Sequence, residues 1–187
     1  MMIIIGITGT LGAGKGTVVD YLVGIKGFRH YSVREFLLTE IRKRGMPENR
    51  DSMFHLANEL RARYSPSWVT DQLYNEAVAS GQNCVIESIR TPGEADSLRS
   101  KGHFFLFAID ADPALRYQRI LSRRSETDDI SFETFLENEN REMMTDDPNK
   151  PNLKKCIEMA DAVLFNNSTK EDLFLQVEEK MKRLGVL

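Results

Sequence analysis

The stretch Gly9-Thr-Leu-Gly-Ala-Gly-Lys15-Gly-Thr17 constrains this chain more than any other. It follows the apolar run Ile3-Ile-Ile-Gly-Ile7 and precedes Val18-Val-Asp-Tyr-Leu-Val23, so a buried strand, a glycine-rich turn and a helix come in that order. Gly9, Gly12 and Gly14 permit positive φ and let backbone N–H groups converge on an anion, while Lys15 adds a mobile positive charge. The spacing from Gly9 to Gly14-Lys15 is G-x-x-x-x-G-K, that of a phosphate-binding loop, with Ala13 inside the turn. The bland alternative, a glycine-rich turn with a surface lysine, does not account for strand, glycines and lysine all standing in register. Such loops usually end Lys-Ser or Lys-Thr, with the hydroxyl on magnesium. Here Gly16 intervenes and the hydroxyl arrives at Thr17.

An anion site in this chain has to be local, because its 187 residues carry a net charge of −3. No global basic field points to nucleic acid or to an anionic membrane as a partner. Cys84 and Cys156 have no C-x-x-C or His spacing and read as reduced thiols. No apolar run reaches membrane-spanning length, and the first apolar run lacks the basic flank of a signal peptide. The expectation is a cytoplasmic protein, a monomer or small homo-oligomer, of one domain over residues 1–187.

The order of elements predicts the fold. Strands are expected at 2–7, 28–31, 84–87, 104–109 and 162–165, with helices between them. Ser32-Val-Arg-Glu35 and Thr91-Pro-Gly-Glu94 read as capping boxes. Ser65-Pro66 reads as the start of a helix, and Ser168-x-x-Glu171 as the cap of the last one. Further helices are expected from Asp112-Pro113 through Arg124, at 131–144 and at 149–160, with a polar loop at 125–130. Strands alternating with helices imply an α/β fold, a parallel sheet covered on both faces. Ligands then bind beyond the carboxyl ends of the strands, where Gly9, Glu87, Asp110 and Asn166 fall.

Several of these segments resemble the P-loop (Walker A) small-molecule kinases. Lys15-Gly-Thr17, Glu87-Ser-Ile-Arg90-Thr and the Arg119/Arg123 pair are similar to the nucleoside monophosphate kinases, such as adenylate kinase. Ala160-Asp-Ala-Val-Leu-Phe-Asn-Asn167 is similar to dephospho-coenzyme A kinase. The resemblance implies a five-stranded parallel sheet of order 2-3-1-4-5, a helical acceptor-binding insert at about 32–80 and a lid at about 124–141. It also implies ATP and magnesium as cofactors and a nucleotide-like small-molecule acceptor. A nucleoside or deoxynucleoside monophosphate leads, with dephospho-coenzyme A, a hydroxyl acceptor, as the alternative. A nucleotide-binding regulatory protein without turnover is the reading from another class.

Within that frame, Gly9, Gly12, Ala13, Gly14, Lys15, Gly16 and Thr17 are expected to hold the ATP phosphates, and Asn166-Asn167 to border the adenine. Arg119 and Arg123 are expected on the moving phosphoryl group, with Arg116 and Arg124 in reserve, because clustered guanidiniums neutralise the charge that phosphoryl transfer spreads. Arg141 is a weaker candidate for the lid. By itself, a helix face bearing Arg116, Arg119 and Arg123 would be a solvated one, opposite Ala114, Tyr117 and Leu121. Arg90 is expected to grip an acceptor phosphate. Glu87 is expected to orient magnesium waters or take a proton, and to be compatible with a pairing to Lys15. Thr17 and Glu87 are the candidates for magnesium through water; no direct metal ligand is assigned. Arg34, Glu35 and Arg61 are acceptor-contact candidates, set against a cap for Glu35 and a surface position for the two arginines. His30, His55 and His103 show no ligand spacing and receive no role.

Overall fold

A computed structural model describes residues 2–122 and 130–186. Five strands, β1 (Ile3–Gly9), β2 (Arg29–Ser32), β3 (Cys84–Glu87), β4 (His103–Asp110) and β5 (Ala162–Phe165), form one sheet in the order β2-β3-β1-β4-β5. Every pairing is parallel, with Ile5 of β1 opposite Val85 of β3 and Phe105 of β4. The expected order is therefore the observed one. Parallel strands need crossovers, and the intervening helices supply them on both faces.

Successive residues of a strand point to opposite faces, so β1 feeds two cores. Ile4, with Ile86 and Leu106, meets α2 (Val33–Lys43), α3 (Arg50–Arg63), α4 (Trp68–Ser80) and α5 (Pro92–Ser100) through Leu37, Leu60, Leu73 and Leu98. Ile5 and Ile7, with Phe107, meet α1 (Lys15–Gly24) and, near the C-terminus, α9 (Lys170–Arg183) through Leu22 and Val177. Burying each such side chain contributes about 1.5–3 kcal/mol, which anchors the strand ends that carry the polar groups. Between β4 and α9 lie α6 (Pro113–Ser122), α7 (Phe132–Met143) and α8 (Leu153–Glu158). No helix among the described residues is long and apolar enough to cross a membrane.

Several boundaries differ from expectation, each for a local reason. The fourth helix starts at Trp68 behind Ser67, because Ser65 and Pro66 form a turn closed by Trp68 N–H on the Ser65 carbonyl. The eighth is confined to Leu153–Glu158, because Pro151 disfavours helical backbone at Lys150 and Asn152 caps the turn that begins at Leu153. Thr169, not Ser168, caps the last helix; Ser168 donates to Asp172 instead. The Thr91/Glu94 capping box forms in full. At Ser32 the hydroxyl accepts from the Glu35 amide but donates to Glu87. Cys84 and Cys156 are free and buried, and burial pushes both thiols up to about 12, which leaves them unreactive.

Candidate functional site

The glycine loop runs from the end of β1 to the first turn of α1, where Gly14 is the N-cap with φ 97°. A side chain at Gly9, φ 134°, would overlap the Ile109 carbonyl of β4, and one at Gly12 would overlap the Arg116 backbone. The loop is thus seated against two neighbours that leave no room for a Cβ. Gly16 has open space around its Cβ position, so packing does not demand a glycine there. Lys15 Nζ lies over the loop, 2.9 Å from the Gly9 carbonyl oxygen and 2.7 Å from that of Thr10. Thr10 donates to Asp110 Oδ1 at 2.9 Å, tying the loop to β4.

A second set of groups backs the loop. Asn166 is buried at the end of β5 and donates from Nδ2 to the Ala13 carbonyl at 2.8 Å. Its own carbonyl accepts from Arg119 Nη2 at 2.8 Å. Arg119 Nη1 is buried with no hydrogen-bond partner among the described residues. A buried guanidinium N–H without an acceptor is costly. Asn167 Oδ1 accepts from the Asp112 amide at 2.8 Å and shapes the turn into α6. The solvated-face reading of α6 is overturned. Arg116 is buried, donating to the Ala111 carbonyl at 2.8 Å, to the Leu11 carbonyl at 3.3 Å and to both oxygens of Glu139, while Leu121 is exposed. Arg123 and Arg124 fall outside the described residues, as does the first part of the expected lid.

Glu87 ends β3 beside β2. It accepts from Ser32 at 2.7 Å and lies 3.5 Å from His30 Nε2, so His30, given no role from sequence, belongs to the network. Burial raises the Glu87 carboxyl; hydrogen bonds from His30 and Ser32, then the charges of His30 and Lys15, outweigh it and hold it below its ordinary value. The chain then turns sharply. Ser88 has φ 67°, the one non-glycine residue with positive φ among those described, and Ile89 is fastened to β1 on both sides. Its N–H donates to the Ile7 carbonyl at 3.0 Å, and its carbonyl accepts from Thr8 at 2.8 Å.

Past that turn opens a cavity of about 340 Å³. Leu11 of the glycine loop forms part of its wall, and so do Ser88, Arg90, Arg34, Arg50, Arg61 and Arg141. Val33, Leu37, Met53, Phe54 and Ala57 supply an apolar side. Three of the expected acceptor residues, Arg34, Arg61 and Arg90, therefore come together. Glu35 does not; it is exposed on α2 and outside the wall. The expected surface position for Arg61 is also corrected, since it is 3 % exposed. Its guanidinium donates to Glu94 Oε1 at 3.0 and 3.3 Å, and Glu94 Oε2 accepts the backbone N–H groups of Arg90 and Thr91. Arg141 lies 4.7 Å over the Phe54 ring and 3.5 Å from Asp51, reaching α3 from α7 across the cavity mouth. Arg90 pairs with Glu142 of α7. Glu142, Arg50 and Ser88 carried no local signal in the sequence; only the folding of α3 and α7 around the β3 turn assembles them.

Residues 5–145 match the AAA domain family AAA_18. A UPF0200 protein of Methanothermobacter thermautotrophicus is 30% identical over 144 residues, covering 76% of this chain and 73% of the relative. The chain belongs to the AAA_18 family of AAA domains and to the UPF0200 family. Among solved structures, TT1252 from Thermus thermophilus is similar with a TM-score of 0.64 at 22% identity, over 98% of each chain. Shikimate kinase from Aquifex aeolicus is similar with a TM-score of 0.56 at 16% identity, over 98% of this chain and 99% of that one. These likenesses establish for this AAA domain the P-loop kinase fold.

Proposed function

We propose that this chain transfers the γ-phosphoryl group of ATP to a small, anionic, nucleotide-like acceptor. The observation that carries the reading is the arginine-walled cavity that shares Leu11 with the phosphate loop. A triphosphate on the loop and an anion in the cavity would be neighbours, which is the juxtaposition that phosphoryl transfer needs.

The residues suit their tasks. Loop amides and Lys15 would hold the β- and γ-phosphates, with Lys15 exchanging its carbonyl contacts for phosphate oxygens. The unpartnered N–H of Arg119 would take a further phosphate oxygen, and Asn166-Asn167 would flank the adenine end. No group of three or more His, Cys, Asp or Glu side chains that could hold a metal occurs among the described residues. Thr17 and Glu87 would hold magnesium through water. Magnesium, when bound, neutralises charge between the β- and γ-phosphates. Arg34, Arg50, Arg90 and Arg141 would draw in the acceptor's anionic group, and the apolar wall its organic body. The helices at 32–80 would then be the acceptor-binding insert. Closure of the described part of the expected lid, 130–141, over both ligands would exclude water. Nucleoside monophosphates and dephospho-coenzyme A both meet these requirements.

The test is transfer of labelled phosphate from γ-³²P-labelled ATP to a panel of both acceptor kinds, with Lys15→Ala as control. The expected result is transfer by the wild type and none by Lys15→Ala at unchanged fold. Tight ATP binding without transfer to any acceptor would replace this reading with that of a non-catalytic nucleotide-binding protein.

A further inference from the structure

Three carboxylates that are mostly withdrawn from water pair with arginines in this part of the fold, one of them in the cavity wall, and they are used differently. Glu94 spends both oxygens, one on Arg61 and one on backbone N–H groups. Glu139 spends both on Arg116. Glu142, one turn further along α7, gives Oε2 to Arg90, and no described residue donates to its Oε1. Its side chain is only 12% exposed, and it forms part of the cavity wall. Burial raises its carboxyl, but Arg90 first, then Arg50 and Lys15, hold it below the ordinary value, so it is an anion. Leu11 of the phosphate loop lines the same cavity. Glu87, at the end of β3, is turned to Ser32 and His30 and is absent from the wall.

An ionised carboxylate with one oxygen unclaimed by the described residues discriminates between nucleophiles at this place. It accepts a hydrogen bond from a hydroxyl, and it repels the dianion of a phosphate monoester. Resting on the phosphotransferase reading above, we infer that Glu142 Oε1 receives the proton of an acceptor hydroxyl, and that the acceptor is an alcohol bearing an anionic group elsewhere. The hydroxyl oxygen bonds to the γ-phosphorus as the bond from that phosphorus to the β–γ bridging oxygen breaks. The electron pair of the broken bond leaves with ADP, and the hydroxyl proton passes to Glu142. The product is a phosphate ester. Arg90 keeps Oε2 occupied and so fixes which oxygen faces the acceptor.

The experiment uses the full chain with ATP, magnesium and two probe sets, the common nucleoside monophosphates and dephospho-coenzyme A with free nucleosides. For each acceptor turned over, ³¹P NMR distinguishes a phosphate ester from a phosphoanhydride. The expected product is an ester, with kcat lowered about 10²- to 10⁴-fold in Glu142→Gln and an acceptor KM within threefold of wild type. Glu142→Asp should recover part of kcat. An anhydride as the wild-type product overturns the inference and leaves the kinase reading standing. So does a Glu142→Gln enzyme with wild-type kcat. Transfer to no acceptor of either set overturns the kinase reading itself. If Glu142→Gln does not fold, the wild-type product and the kcat of Glu142→Asp, expected below wild type, decide the matter.

Discussion

Glu94→Ala should be among the most damaging single substitutions in this chain, although Glu94 touches no ligand in any reading of the site. Arg61 and Glu94 are 3% and 1% exposed. Removing the carboxylate leaves a guanidinium in the interior without its counter-charge. It also strips the acceptor from the Arg90 and Thr91 N–H groups, which bond it at 2.7 and 3.0 Å. Breaking one side of a buried pair costs about 3–5 kcal/mol, and the lost cap places the expected loss toward the upper end. For a chain of this length that corresponds to a fall in Tm of about 10–15 °C. Urea unfolding followed by far-UV circular dichroism measures it directly. The double variant Arg61→Met with Glu94→Gln keeps an amide oxygen for the two N–H groups and removes both charges. It should lie within about 2 kcal/mol of wild type, because replacing both partners avoids the stranded charge. A Glu94→Ala protein within 1 kcal/mol of wild type would show that water reaches Arg61 and that the pair is not buried in solution; about 3 kcal/mol is the least that stranding the charge should cost.

Three further outcomes are expected. Arg90→Lys should raise the acceptor KM about tenfold with ATP affinity unchanged, because a point charge replaces a planar fork at a cost of about 1.5 kcal/mol; loss of ATP binding instead, in steady-state kinetics, would assign Arg90 to the other half of the site. Glu87 and Glu142 are both held below their ordinary value of 4.5, so their stabilisation is in place above that pH and lost as pH falls through the lower folded-state values. Thermal scans from pH 7 to 3 should show an acid limb that is shallower in Glu87→Gln; an identical limb in that variant would remove Glu87 from the account. Ser88→Gly should raise stability by about 1 kcal/mol, since glycine adopts positive φ without a Cβ penalty, and a measured destabilisation would mean that the serine hydroxyl is bound.

The strands and helices, the glycine loop and the Thr91/Glu94 cap were legible because each is written locally, whereas the sheet order came only with the resemblance to the P-loop kinases. Period, spacing and cap residues lie within a few positions of one another. The charged residues were harder, because a lone arginine looks the same whether it is solvated or buried. Arg116 lies on the same helix stripe as Arg119, yet what buries it is Glu139, 23 residues away, and the carbonyl of Leu11, 105 residues away. Arg61 depends likewise on Glu94 across 33 positions. The cap at Ser32 was half legible: Glu87, 55 residues on, takes the hydroxyl's hydrogen bond. Pairings over such distances follow from topology, and nothing in the local pattern announces them.

The left-handed backbone at Ser88 has a consequence for direction. Glu87 and Arg90 are three positions apart in the chain, yet one is tied to β2 and the other to α7. The turn acts as a divider, sending a negative charge to one flank of the sheet's open end and a positive charge to the other. Since Ile89 is pinned to β1 through both its N–H and its carbonyl, the divider cannot rotate without lifting off the strand that feeds the phosphate loop. The backbone, and not the side-chain partners, thus decides to which side each of the two charges is sent.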